Sequence, residues 1–291
     1  MTQKIKVYNL RQGPRKDLFN DYSFIKSNNQ HWDAVLKSGV TEPPSVLWGG
    51  NATLLQDILS LYSFFARQLV CLEKEYGEDN YFYRPPGKKG IKFTDPWKKT
   101  SHALKTILQW KPKDKQKFQN KIIAFHYLRA YRNERLLYVK SAIMRTCLVD
   151  CLKNELGKDI WEKFLGISKE EYNFILKCWI RLRNCNVHKI SFQYQDFIAD
   201  KAEDKYQILT ANEIGVFKKC IKDEKDFNQF IKDSLWAFDV LLTYYYANIF
   251  GCLKLKQAPS IQDKHYLLLK NYFQTLKSSN SVNYPIWQGK K

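Results

Sequence analysis

The apolar pattern of this chain predicts an all-α fold, a bundle of four principal helices with an N-terminal cap and a basic insertion loop. Three observations carry that expectation. Apolar residues recur at helical spacing through several long windows, and two Ser/Thr-x-x-Glu capping boxes, Ser168 to Glu171 and Thr210 to Glu213, mark helix starts. The alternation over Ser191 to Phe197 allows no more than a small hairpin beside these helices. With 291 residues, 44% of them hydrophobic, the chain can fill a core, and disorder is not expected.

Residues 1–50 hold short mixed segments, Asp17 to Lys26 and Gln30 to Lys37 among them. They close on the turn-forming Thr41-Glu42-Pro43-Pro44 and Trp48-Gly49-Gly50, and they read as the N-terminal cap. From Asn51, the spacing of Leu54, Leu55, Ile58, Leu59, Tyr62, Phe65 and Leu69 predicts a helix to about Lys74. Residues 76–99 break the pattern, with Pro85, Pro86, Gly87, Gly90 and Pro96 set among lysines and aromatics. This is the basic insertion loop. Its cations Lys88, Lys89, Lys92, Lys98 and Lys99, with Tyr81, Phe82, Tyr83, Phe93 and Trp97, suit a phosphate backbone with stacked bases. A surface loop whose aromatics tuck into the core is the alternative.

A short helix is expected from Ser101 to Trp110, then a long helical stretch from Asp114 to Leu156, as one helix or two. The Ser168 capping box opens a helix whose core face is Tyr172, Ile175, Leu176, Trp179 and Leu182 and whose end carries Arg183 to His188. Alternation over Ser191 to Phe197, followed by Tyr206 to Leu209, allows a small β-hairpin. The second capping box starts a short helix. The last strong helix is expected from Asp226 to Phe250, with Phe227, Phe230, Leu235, Phe238, Leu242, Tyr245 and Ile249 buried and Gly251 as its stop. One amphipathic helix, Lys264 to Leu276, and a basic tail complete the chain. The organisation read from this is a cap (1–50), a helical domain (51–255) carrying the loop 76–99, and a C-terminal helix and tail (256–291).

The formal net charge of +19, from 48 Lys and Arg against 29 Asp and Glu, points to a polyanionic partner, with nucleic acid ahead of an anionic membrane surface. Charge on a solvated surface without a partner is the bland alternative. The seven cysteines include no CxxC pair, and Cys147 and Cys151 sit in an apolar helical stretch, so reduced core thiols are expected. His31, His102, His126, His188 and His265 are scattered rather than grouped at ligand spacing, so neither a metal nor another cofactor is expected. The basic N-terminus lacks the apolar core of a leader, and no window is apolar enough for a membrane span, which predicts a cytoplasmic protein. No P-loop, GxGxxG, HExxH or GxSxG pattern occurs.

One constellation carries chemistry. At the end of the capped helix stand Arg181, Arg183, Asn184 and His188. The string Arg183-Asn184-Cys185-Asn186-Val187-His188 resembles the R-N-x-x-x-H form of the Arg-x4–6-His motif of HEPN domains, helical ribonucleases of toxin, abortive-infection and CRISPR-associated systems. Arg-to-His spacings alone arise often by chance; requiring the Asn directly after Arg183 lowers the chance level to about one in a hundred. The resemblance covers this motif and the helical order around it, residues 51–255.

It implies a metal-independent endoribonuclease, acting in phage defence or a stress response, in which the 2′-hydroxyl attacks the neighbouring phosphate and leaves a 2′,3′-cyclic phosphate. The chemistry fits the residue types, since an imidazole can move protons near neutral pH and a guanidinium can hold a phosphorane bidentately. On a regular helix His188 lies nearly under Arg181 and Asn184 but about 140° from Arg183. Arg181, at the x6 spacing, therefore rivals Arg183, and Asn184 is placed to orient the ring. For His188 the structural alternative is a histidine compensating the helix dipole, and for the arginines a phosphate clamp or surface cation.

HEPN domains generally pair across a two-fold axis. No second motif occurs here, since Arg132-Asn133 has no following His, so a homodimer is implied, with a neutralising or activating partner also in keeping with the family. Some small HEPN toxins carry Tyr two residues after the His; Ile190 stands there instead, so regulation through that tyrosine is not implied. A non-catalytic RNA-binding helical module is the second reading, and an interaction scaffold the third.

Overall fold

A computed structural model describes residues 4–8, 10, 12–15, 18–27, 31–68, 70–72, 91, 93–133, 149–188, 191, 193–199, 208–255 and 264–275. The chain is mostly helical, but it is not all-α, because the N-terminal region forms a small antiparallel sheet. Two compact units divide it. The first comprises Met1–Asn133 with Ala247–Leu253, the second Glu134–Tyr246 with Lys254–Lys291.

In the first unit, β1 (Lys4–Tyr8), β2 (Tyr22–Lys26) and β3 (His31–Leu36) pair with the short β4 (Cys71–Leu72) in the order β2-β3-β1-β4. Period-two placement explains the pairing. Ile5 lies opposite Ala34 and Val7 opposite Trp32, with Phe24 opposite Ala34 on the other side, so one face collects the apolar residues. Val7, Ala34 and Tyr22 are buried.

Helix α1 (Leu54–Ala66) starts where the Thr53 N–H donates to Gln56 Oε1 at 2.8 Å. It ends eight residues before the expected Lys74, because Arg67 turns left-handed (φ 54°) and Ser63 Oγ accepts the Val70 N–H at 3.0 Å, which sends the chain back toward β4. Helix α2 (Pro96–Leu108) is capped by Asp95, whose carboxylate accepts from Lys98 N at 3.0 Å. The last residues assigned to the insertion loop are thus the first turn of a helix. Trp97 is buried there, stacked on Tyr62 at 4.0 Å and against Phe19 and Phe24, with its indole N–H on Gln12 O at 2.7 Å. For that residue the core alternative holds.

Helix α3 (Pro112–Asn133) buries Phe118, Ile122, Phe125 and Leu128. Phe250 packs on Phe64, Phe118 and Phe125.

In the second unit follow α4 (Val149–Leu156), α5 (Ile160–Leu165), α6 (Lys169–His188), α7 (Tyr194–Ile198), α8 (Ala211–Cys220), α9 (Glu224–Ile249) and α10 (Lys264–Thr275). The last residues of α9 belong to the first unit. Both predicted capping boxes form. Ser168 N and Glu171 Oε2 are 2.8 Å apart, as are Thr210 N and Glu213 Oε2, and each hydroxyl accepts the reciprocal N–H at 3.2 Å.

The core of this unit joins α6, α9 and α10. Trp179 packs on Phe238 and donates to Tyr272 OH at 3.1 Å, and Tyr172 stacks on Phe273 at 5.2 Å. The buried face expected of α9 is present except at Ile249, which is half-buried on its last turn, and Gly251 (φ 70°) stops the helix. Leu176 is half-buried rather than in the core, where Phe174 and Cys178 sit instead.

The predicted hairpin is not a hairpin in its first arm. Tyr194 to Ile198 is a helical turn, because Ser191 Oγ accepts Gln193 N and donates to Asp196 Oδ2, and because Tyr194 and Phe197, three apart, bury together. Of the second arm, Ile208 and Leu209 are not in a strand, while Tyr206 and Gln207, Lys88, Lys89 and Lys92, the chain between Asn133 and Val149 with Cys147, and the basic tail lie outside the described residues. No helix among the described residues is long and apolar enough to cross a membrane.

Candidate functional site

The motif residues sit on the last two turns of α6, where the helix runs off its core. Leu182 and Cys185 are buried, Asn184 is 8% exposed, and Arg181 is fully buried, whereas Val187 and His188 are exposed. One face of a single helix therefore passes from core to solvent within two turns, and His188 is the residue delivered to the surface.

The chain then folds back, with the Ser191 N–H on Cys185 O at 3.2 Å, and places α7 beside α6. Arg181 binds the carbonyl end of this short helix. Its Nε donates to Phe197 O at 3.2 Å, and its Nη2 to Asp196 O at 3.1 Å and Ala199 O at 3.2 Å. A helix C-terminus leaves carbonyls without partners, and a guanidinium satisfies several at once while opposing the negative end of the dipole. Cys185 Sγ lies 3.6 Å from Asp196 O. The far side of α7 is apolar: Phe197 packs on Phe217 and Phe227, and Tyr194 OH donates to Ile221 O at 2.6 Å.

Arg183, two residues on and so nearly on the opposite side of the helix, is half-exposed, and its Nη1 donates to Asn184 Oδ1 at 3.0 Å. Asn184 thus braces the more accessible arginine. Of the candidate loop cations, Lys98 is exposed and Lys99 half-exposed on the first turn of α2, which belongs to the first unit; the motif belongs to the second.

Glu213 anchors α6 to α8 through Lys177 Nζ at 2.7 Å. Burial pulls its carboxyl upward, but the bonds from Lys177 and Thr210 prevail and hold it below the usual carboxylate range. Beside this pair the two helices border a groove of about 470 Å³ with Phe174, Leu176, Ile180 and Val216 in its walls. Burial also holds the Cys178 thiol well above its ordinary value, as fits a core thiol rather than a nucleophile. Among the described residues no group of three His, Cys, Asp or Glu side chains is placed to hold a metal ion.

The residues that sequence reasoning missed are Ser191 and Asp196, which build the turn after the motif. Their signal was a serine placed to cap a turn that an aspartate closes, hidden by the apparent alternation around it. No protein-family model, no curated protein and no solved structure matches this chain.

Proposed function

We propose that the chain is a metal-independent endoribonuclease of the HEPN kind, with His188 as the proton-transferring group and Arg183 as the phosphate-binding cation. One observation carries the reading: α6 buries its interior face yet presents His188 to solvent at its terminus, with half-exposed Arg183 braced by Asn184 just before it. Between the two candidate arginines, the burial of Arg181 under three carbonyl oxygens favours Arg183 for contact with substrate.

In the proposed reaction an imidazole takes the proton of the ribose 2′-hydroxyl, the 2′-oxygen bonds to phosphorus, and the P–O5′ bond breaks. The O5′ leaves as a hydroxyl after receiving a proton, and a 2′,3′-cyclic phosphate remains. Arg183 stabilises the charge gathering on the non-bridging oxygens. His188 on its helix lies about 140° round from Arg183, so pairing the motif with that of a second copy, within a four-helix bundle, supplies the second proton-handling group. A cytoplasmic role in phage defence or stress, under a neutralising or activating partner, belongs to the same reading.

Incubating the protein with total RNA in the presence of EDTA tests it. Cleavage that survives chelation, yields cyclic phosphate ends and is lost in His188→Ala supports the enzyme. RNA binding without cleavage supports instead a non-catalytic RNA-binding module, a reading favoured by the net charge of +19.

A further inference from the structure

The first unit carries a concentration of positive charge outside the motif itself. Between residues 96 and 121 the chain has eight lysines and a single carboxylate, Asp114. Six of the lysines, Lys98 and Lys105 on α2, Lys111 at the junction, and Lys113, Lys115 and Lys117 on α3, are exposed.

Their arrangement is not that of a compensated surface. Lys98 and Lys105, seven apart, fall on one line of α2, and Lys113 and Lys117, four apart, on one line of α3. No ion pair among the described residues involves any of the six, although Lys115 acts on the buried Asp57 carboxylate without pairing with it, whereas lysines of the second unit pair with Glu155, Asp159 and Glu213. Like charges four apart on a helix repel. In addition, Lys111, Lys113 and Lys115 stand at the N-terminal end of α3, where the helix dipole disfavours cations. Both effects destabilise the free protein, and a bound polyanion relieves both.

We infer that the lysine face of α2 and α3 is the surface on which single-stranded RNA docks through its phosphate backbone. Trp110, at the junction of the two helices, is half-exposed with its ring 5.0 Å from Phe118, and it offers an unpaired base a stacking partner among the lysines. An anionic membrane fits less well. An interfacial helix must put its apolar face into the lipid, and the apolar faces here, Ala103, Leu104 and Ile107 on α2 with Phe118, Ile122 and Phe125 on α3, are buried in the protein. The exposed aliphatics Leu108 and Ile123 are too few to insert.

The inference rests on reading the chain as a protein that handles RNA, but not on its cleaving RNA. The test uses the full chain and a 2′-O-methylated single-stranded RNA, which has no hydroxyl to attack. Replacing Lys105, Lys113 and Lys117 together by Glu is expected to weaken binding roughly tenfold or more at low salt and to lower the slope of log affinity against log salt by about 2. The same charge change at Lys218, Lys219 and Lys225, exposed on the second unit, is expected to change affinity far less. The first variant should melt no earlier than the parent, since it removes the repulsion between lysines and sets carboxylates in the first turns of α3, and the second should melt close to the parent; if the first melts early, Gln at the same three positions repeats the measurement.

Equal losses from the two triple variants, or no loss from the first, overturn the surface. A first variant that binds RNA normally but no longer binds phosphatidylserine vesicles assigns the face to lipid and also overturns it. The cleavage reading fails separately, through RNA that is bound but left intact by the parent protein.

Discussion

Arg181 Nε donates to the Phe197 carbonyl oxygen at 3.2 Å, which ties the interior of α6 to the end of α7. With Nη2 on Asp196 O and Ala199 O, the guanidinium is the cap of a helix too short to stand alone. Arg181→Ala leaves these carbonyls without their donor in a buried place, and a loss of about 2–4 kcal/mol of stability is expected. Arg181→Lys should recover only part of it, since an ammonium cannot reproduce the planar fork. Urea unfolding of both variants measures the difference. A stable Arg181→Ala protein that has lost only cleavage would move the catalytic role to Arg181.

His188 and Arg183 should behave in the opposite way. His188 is exposed, so His188→Ala is expected to leave stability within about 0.5 kcal/mol of the parent while lowering single-turnover cleavage by roughly 10²–10⁴. Arg183→Ala should cost about 1 kcal/mol of stability, through the lost bond to Asn184, and roughly 10²–10³ in rate. Asn184→Ala separates bracing from chemistry, because it keeps both reacting groups and should lose less rate than either.

Asp57 makes stability depend on pH. It is fully buried, and burial pushes its carboxyl up from 3.8 to about 6, against the bonds it accepts from Ser45 Oγ at 2.5 Å, Val46 N at 2.7 Å and Leu47 N at 3.3 Å. The folded protein then holds this proton over a range in which the unfolded chain has lost it. The associated stability is complete below about pH 4 and is lost as pH rises through about 6, with a total of about 3 kcal/mol. Other carboxylates run the other way, Glu213 among them, so the quantity to measure is the difference between parent and Asp57→Ala. That difference should change with pH between about 4 and about 7 and be flat above; a difference independent of pH removes Asp57 from the account.

Much of the helical plan could be read from the residues because its signals are local. A capping box needs only four consecutive residues, and both boxes form as their spelling requires. Gly251 likewise ends α9 for a reason contained in its own backbone. What escaped is what distant residues decide. Lys4-Ile5-Lys6-Val7 alternates, but five-residue strands become a sheet only by meeting β3, and nothing local announces that partner. The early stop of α1 depends on Ser63 turning its hydroxyl to Val70. At the candidate site the motif proposes residues but not where each side chain goes: on a bare helix Arg181 is the better aligned with His188, and only the return of α7 under it shows where its guanidinium goes.

Acid–base cleavage benefits from two proton-handling groups on opposite sides of the phosphorus, and the motif supplies one His188 per chain. Its position at a helix end, exposed beside half-exposed Arg183, suits an isologous interface in which two copies of α6 meet end to end and each imidazole faces the other's arginine. Two such ends bring four guanidinium and two imidazole groups together, of which the two Arg181 are already engaged by carbonyls, so repulsion falls chiefly on the two Arg183. A bound phosphate between the copies neutralises it. Sedimentation should therefore show self-association that strengthens with 2′-O-methylated RNA, and specific activity should fall on dilution as the dimer separates. A monomer at every RNA concentration that keeps full activity on dilution excludes the shared site and leaves a single chain to carry both proton transfers.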